Sequence, residues 1–140
     1  KEIQKTILIN SLVPFMIIRN SLKNMSKNKY GRIINTSSIG VKFGGGINNF
    51  NYSLSKHCSE FVPSELRQMA KYNILYNNVR LGVINTKIHK KIKGKKLKDR
   101  IRKIPISRLA SKNEIAEYIF YLIDKNTFIS SETLSIAGGE

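Results

Sequence analysis

Apolar positions recur at helical spacing from the start of the chain, most densely between Ile7 and Ile18, and predict a helix over about 2–27. The pattern then gives way to Gly31-Arg-Ile-Ile-Asn-Thr-Ser-Ser38, a short apolar run entered from a glycine and left through hydroxyl residues. That reads as a buried parallel strand over 31–37 with Ser38 at its carboxyl end. A glycine-rich loop is expected over 39–50, and Leu54, Cys58, Phe61 and Leu66 then mark the buried side of a second helix, 51–71. The remainder predicts a strand at 77–84, a basic segment at 87–103, a helix at 112–125 and a strand at 132–137. Alternating strands and helices imply an α/β fold, a parallel sheet of three strands with helices on its faces, whose first strand presents an open apolar edge.

Candidate chemistry gathers on the second helix. Tyr52 and Lys56 in Asn51-Tyr-Ser-Leu-Ser-Lys56 are four residues apart, which puts a phenol and an ammonium on one side of that helix. A cation beside a phenol favours the phenolate, and so brings the group toward proton exchange near neutrality. The pair alone is weak, since Tyr and Lys at this spacing arise by chance on many amphipathic helices. Ser38 strengthens it, because ligands of open α/β sheets bind beyond the carboxyl ends of the strands. Asn10 adds a polar amide inside an apolar helical segment, where it needs hydrogen-bond partners.

Asn10, Ser38, Tyr52 and Lys56, in that order and at these spacings, resemble the short-chain dehydrogenases/reductases, especially their 3-oxoacyl-carrier-protein reductase branch. The likeness continues through Val79-Arg-Leu-Gly-Val-Ile-Asn-Thr86, Pro105-Ile-Ser-Arg-Leu109 with Asn113-Glu-Ile-Ala116, and Phe128 to Gly139 with its terminal Gly-Gly. It implies the carboxyl-terminal half of a Rossmann-like doubly wound sheet, an NAD or NADP cofactor, and interconversion of a carbonyl and a secondary alcohol by hydride transfer. The resemblance also gives the residues roles. Ser38 would bond the substrate oxygen and Tyr52 would exchange its proton. Lys56 would favour the phenolate and hold the cofactor ribose, and Asn10 would anchor a relay water. Gly82, the backbone at Ile84 and the hydroxyl of Thr86 would seat the nicotinamide end. The helices 2–27 and 51–71 correspond to the family's pairing face, implying a homodimer or homotetramer.

The family's glycine-rich turn between a first strand and helix has no counterpart here, since Gly44-Gly45-Gly46 follows the serine strand and reads as a flexible loop beside the active site. The expectation is that residues 1–140 form an incomplete domain, the substrate-side portion of a protein about twice as long. Pro63 falls within the second helix, where proline costs about 3 kcal/mol, and Leu81 stands where the family has proline.

Charge adds one element to this picture. Of the net +16, residues 87–103 carry +9, with ten Lys/Arg against Asp99 alone. In the family that stretch is the lid over the substrate, so an anionic or carrier-linked carbonyl or alcohol substrate is implied; the alternative is surface lysine tolerated in a chain rich in Lys, Asn and Ile. One cysteine, Cys58, excludes an internal disulfide and, with no recognisable secretory signal, suggests the cytoplasm. The apolar stretch Ile7–Ile18 is too short and too interrupted for a membrane span. His57 and His89 lack a ligand cluster, so no metal is expected. Two rival readings remain: a truncated noncatalytic paralogue serving as an assembly module, and a basic nucleic-acid-binding fragment using 87–103.

Overall fold

The computed structural model describes residues 1–87 and 95–140. The stretch 88–94, with His89, Lys90 and Lys91 of the basic segment, lies outside the described residues. Three parallel strands make one sheet in the order β1 (Gly31–Ser38), β2 (Ile74–Leu81), β3 (Thr133–Ile136). In register, Ser38 of β1 stands beside Leu81 of β2, which stands beside Ile136 of β3, so the carboxyl ends of all three strands finish level. Such a finish is what opens a cleft above a parallel sheet.

The central strand lies at the middle of the core, which Ile39, Leu66, Ile104, Ile115 and Leu122 complete. Ile74 to Val79 are all buried, whereas Ile33 and Ile34 of β1 are only half-buried, because β1 pairs on one side alone and stands at the sheet edge. That is the open apolar edge the pattern predicts. The strand expected at 77–84 starts earlier and ends sooner; a periodicity count loses its first half because Asn77 and Asn78 interrupt the apolar run while being fully buried.

The first helical stretch consists of α1 (Glu2–Ile7), a π-helical turn (Leu8–Leu12) and α2 (Val13–Asn28). Pro14 accounts for the wide turn: its ring would meet the carbonyl of Asn10, four residues back, and one extra residue in the turn gives it room. Lys29 ends α2 in the left-handed region at φ 50°.

The second helix departs from expectation. It runs as α3 (Phe50–Ser59), stops, and resumes as α4 (Ser64–Gln68), with Pro63 extended at ψ 146° between them. Proline lacks the N–H that would continue the ladder, and its ring excludes the preceding turn, so Pro63 breaks the helix instead of bending it. Beyond the first segment Phe61 lies 66% exposed, and within it Cys58 is half-buried, not the core positions their spacing suggested. The four-residue spacing of Tyr52 and Lys56 lies before the break and is untouched. Next come α5 (Lys95–Arg102) and α6 (Lys112–Asp124), the latter opened by a capping box between Ser111 and Glu114.

Candidate active site

A cleft of ≈ 690 Å³ lies at the carboxyl ends of β1 and β2, lined by Ser38, Tyr52, Lys56, Gly82, Ile84 and Thr86 among others. Six of the seven residues singled out from sequence therefore meet around one space. Its volume falls in the usual range of small-ligand sites.

Each arrives by a different route. Ser38 is the last residue of β1, in extended conformation, and its Oγ accepts from the N–H of Gly40 at 3.2 Å. Accepting that bond leaves the hydroxyl proton free to be donated elsewhere. Tyr52 and Lys56 project from the first two turns of α3. The Tyr52 side chain is open to the cleft, with the residue 44% exposed, while Lys56 reaches down to donate from Nζ to the carbonyl of Thr36 at 2.8 Å. Half-burial lowers the Lys56 pKa, since desolvation disfavours the ammonium. One of its three N–H donors is occupied in this bond.

The far wall is the segment after β2. Gly82 donates to the carbonyl of Ile136 at 2.9 Å, and a Cβ there would come within 2.7 Å of the Ala137 Cα, so the close approach of the two backbones requires glycine. Ile84 bridges to Ala110, fixed by Asn85 N–H to Ala110 O at 2.9 Å and Ala110 N–H to Val83 O at 3.0 Å. Leu81, where the resemblance implies proline, pairs in register with Ser38 and Ile136 as the last residue of β2.

Asn10 stands one layer behind the cleft. It lies in the π-helical turn, and its Nδ2 donates to the Oγ of Ser55 at 2.9 Å. Its own backbone carbonyl has no N–H donor four residues on, because that residue is Pro14. Sequence reasoning missed Asn49, Ser53 and Arg100, which also line the cleft. Gly45 lines it too, and its φ of 75° shows why glycine follows the serine strand. Arg100, on α5, is held by Glu140 at 2.6 Å; its place within the basic segment was the available signal. No group of His, Cys, Asp and Glu able to hold a metal occurs among the described residues. Nor is any described helix long and apolar enough to cross a membrane.

The donors around the cleft, among them an ammonium with bonds to spare, the hydroxyls of Ser38, Ser53 and Thr86 and a phenol, suit a polyhydroxylated ribose and a carboxamide. The residues present thus fit the nicotinamide end of a dinucleotide.

Comparison with known proteins agrees with this fold. Residues 1–140 match the family described as Enoyl-(Acyl carrier protein) reductase. The chain is 30% identical to a 3-oxoacyl-[acyl-carrier-protein] reductase of Aquifex aeolicus over 97% of its own length and 55% of the relative's. A counterpart from Rickettsia conorii is likewise 30% identical, over 99% and 58%. Among solved structures, levodione reductase superposes with a TM-score of 0.86 at 26% identity, covering 99% of this chain and 57% of the other. A 3-oxoacyl (acyl-carrier-protein) reductase from Agrobacterium tumefaciens, solved with NADP bound, gives 0.84 at 20% identity over 94% and 53%. A parallel sheet ending in a Tyr-x-x-x-Lys cleft, matched by a family model end to end, identifies the class: the chain belongs to the short-chain dehydrogenase/reductase family. It spans about half the length of the curated relatives it matches.

Proposed function

We propose that these residues form the substrate-side half of a nicotinamide-dependent reductase that interconverts a carbonyl and a secondary alcohol, with Ser38, Tyr52 and Lys56 as its reacting site. The observation that carries the reading is their convergence on one cleft at the level carboxyl ends of β1 and β2.

When bound, NAD or NADP supplies or takes up the hydride at the substrate carbon. The free hydroxyl proton of Ser38 hydrogen-bonds the carbonyl oxygen and holds it beside Tyr52. The Tyr52 hydroxyl gives that oxygen a proton during reduction and recovers it from the alcohol during oxidation. Lys56, fixed by Thr36 O, keeps a positive charge under the phenol, and its remaining N–H donors would hold the ribose hydroxyls. Gly82, the Ile84 backbone and the Thr86 hydroxyl would orient the carboxamide. The pyrophosphate contacts would come from residues outside these 140. The relatives' names point to a 3-oxoacyl thioester on a carrier protein as substrate class, and the basic stretch 87–103 would serve as the lid that meets its anionic part. The helices α1, α2 and α3 would pair copies of the chain into a homodimer or homotetramer, in the cytoplasm.

The test is an assay of the protein expressed with any coding sequence that precedes Lys1 in its reading frame, following NADPH and NADH oxidation with a 3-oxoacyl thioester. The expected result is steady cofactor oxidation that requires the thioester. Cofactor left unoxidised with this and with simple ketones contradicts the reading.

A further inference from the structure

The buried side of α3 is made of serine, not of apolar residues: Ser55 and Ser59 are at most 2% exposed. Their hydroxyls bond to two particular carbonyls. Ser55 Oγ donates to Tyr52 O at 2.7 Å, and Ser59 Oγ donates to Lys56 O at 2.8 Å. These are the backbone carbonyls of the two residues placed in the reacting site. A hydroxyl that bonds back along a helix competes with the ladder and bends the turn it sits in. The two bonds here fall on the turns from which the phenol and the ammonium leave the helix.

Ser55 is also gripped from outside α3. Asn10 Nδ2 donates to its Oγ at 2.9 Å, and the fully buried Ser11 Oγ donates to its carbonyl at 2.6 Å. Both donors come from the π-helical turn, whose extra residue sets them side by side against α3. One hydroxyl therefore links the Asn10 amide to the Tyr52 backbone, with every bond inside the protein.

We propose that Asn10, Ser11 and Ser55 form a positioning clasp that fixes the height and tilt of the Tyr52 turn over the cleft, and that the Asn10 side chain acts through Ser55 instead of touching the reacting atoms. The clasp rests on the reductase reading only for its purpose; its geometry is tested without cofactor or substrate. Positional errors of an ångström at a reacting group are enough to cost about a hundredfold in rate, so bonds of this kind matter to a turn that carries the proton donor.

The experiment labels the six tyrosines with 3-fluorotyrosine and assigns the Tyr52 resonance in the fluorine NMR spectrum by its loss in Tyr52→Phe. Asn10→Ala and Ser55→Ala should each displace that resonance while the other five keep their positions. The double variant should coincide with Ser55→Ala, because the amide acts only through the hydroxyl it donates to. In the active protein the same variants should lower kcat about tenfold with KM within about twofold. A Tyr52 resonance unmoved in folded Ser55→Ala overturns the clasp, as do additive displacements in the double variant. If Ser55→Ala does not fold, Asn10→Ala alone decides by the same resonance. A displaced resonance in a protein with no reductase activity would sink the functional reading and leave the clasp standing.

Discussion

Two polar clusters sit on the same sheet, one in its middle and one at its end, and they differ in whether their hydrogen bonds are closed. In the middle, Asn35 and Asn78 stand opposite each other in register across β1 and β2, with Asn35 Nδ2 donating to Asn78 Oδ1 at 2.8 Å. The Tyr76 hydroxyl donates to the same oxygen at 2.7 Å, while Asn78 Nδ2 donates to Glu60 O and Thr133 Oγ1. Asn78 is 0% exposed and its amide has no donor left over. Burial pushes the Tyr76 phenol up to about 12, so it stays neutral and keeps donating. At the end of the sheet, Ser38 keeps a free hydroxyl proton, Lys56 has spent one donor of three, and Tyr52 opens to the cleft. Saturated groups fix a fold, and groups with capacity left facing a cleft are the ones able to act on a ligand. Under the proposed function, two tyrosines of one chain take opposite parts.

That contrast can be broken at either end. The largest effect is expected at the open end: Lys56→Ala in the active protein should lower kcat/KM by about a hundredfold or more and weaken cofactor binding, while leaving the unfolding midpoint of the chain nearly unchanged, because a single exposed bond to Thr36 O is lost. Steady-state rates and a cofactor titration check the first part, and urea unfolding checks the second.

At the closed end the expectation reverses. Asn78→Leu conserves volume but strips partners from Tyr76, Asn35 and Thr133, and should cost about 3 kcal/mol in urea unfolding, the penalty of leaving buried polar groups unpaired. A neutral result would mean that the network is not what holds β1 to β2.

Gly82→Ala probes the boundary between the clusters. The added methyl would meet Ala137 Cα at 2.7 Å, so the turn beneath the cleft must shift, at about 1–3 kcal/mol of stability. Unfolding and rate should both suffer, which neither of the other variants should show.

The smallest effect is a pH dependence. Burial pushes the Glu60 carboxyl up, but the paired Arg80 guanidinium at 2.6 Å outweighs it and holds the group below its ordinary value of 4.5. Glu114 is held down to about 2 by Arg108, with help from the Ser111 cap. A carboxyl depressed in the folded state contributes stability above its unfolded value and loses that contribution as pH falls through the folded one. The urea midpoint should therefore decline between pH 4.5 and about 2, and Glu60→Gln should flatten the upper part of the decline.

Much of the site was legible from spacing because a helix repeats its faces: Tyr52 and Lys56 had to share one, and Ser38 had to end its strand where the hydroxyl residues begin. The order of elements was equally plain from alternating patterns. The breadth of the helix break was not, because proline's cost is the same whether neighbours yield or not, and the chain from Glu60 to Pro63 yields. Asn77 and Asn78 were missed as core since composition counts an amide as surface until its partners are seen, and those partners lie on other strands and loops. The serines of α3 were invisible for the same reason. Ser55 differs from any small polar residue only by what Asn10 and Ser11 do to it.

The central claim is that the open cluster does the chemistry and the closed one does not. The most direct measurement is the turnover of Tyr52→Phe in the active protein, with cofactor affinity and unfolding followed on the same preparation. The account predicts that removing one hydroxyl lowers kcat by about a hundredfold or more, with cofactor binding and the urea midpoint close to those of the unaltered chain. A Tyr52→Phe protein that retains most of its turnover contradicts it.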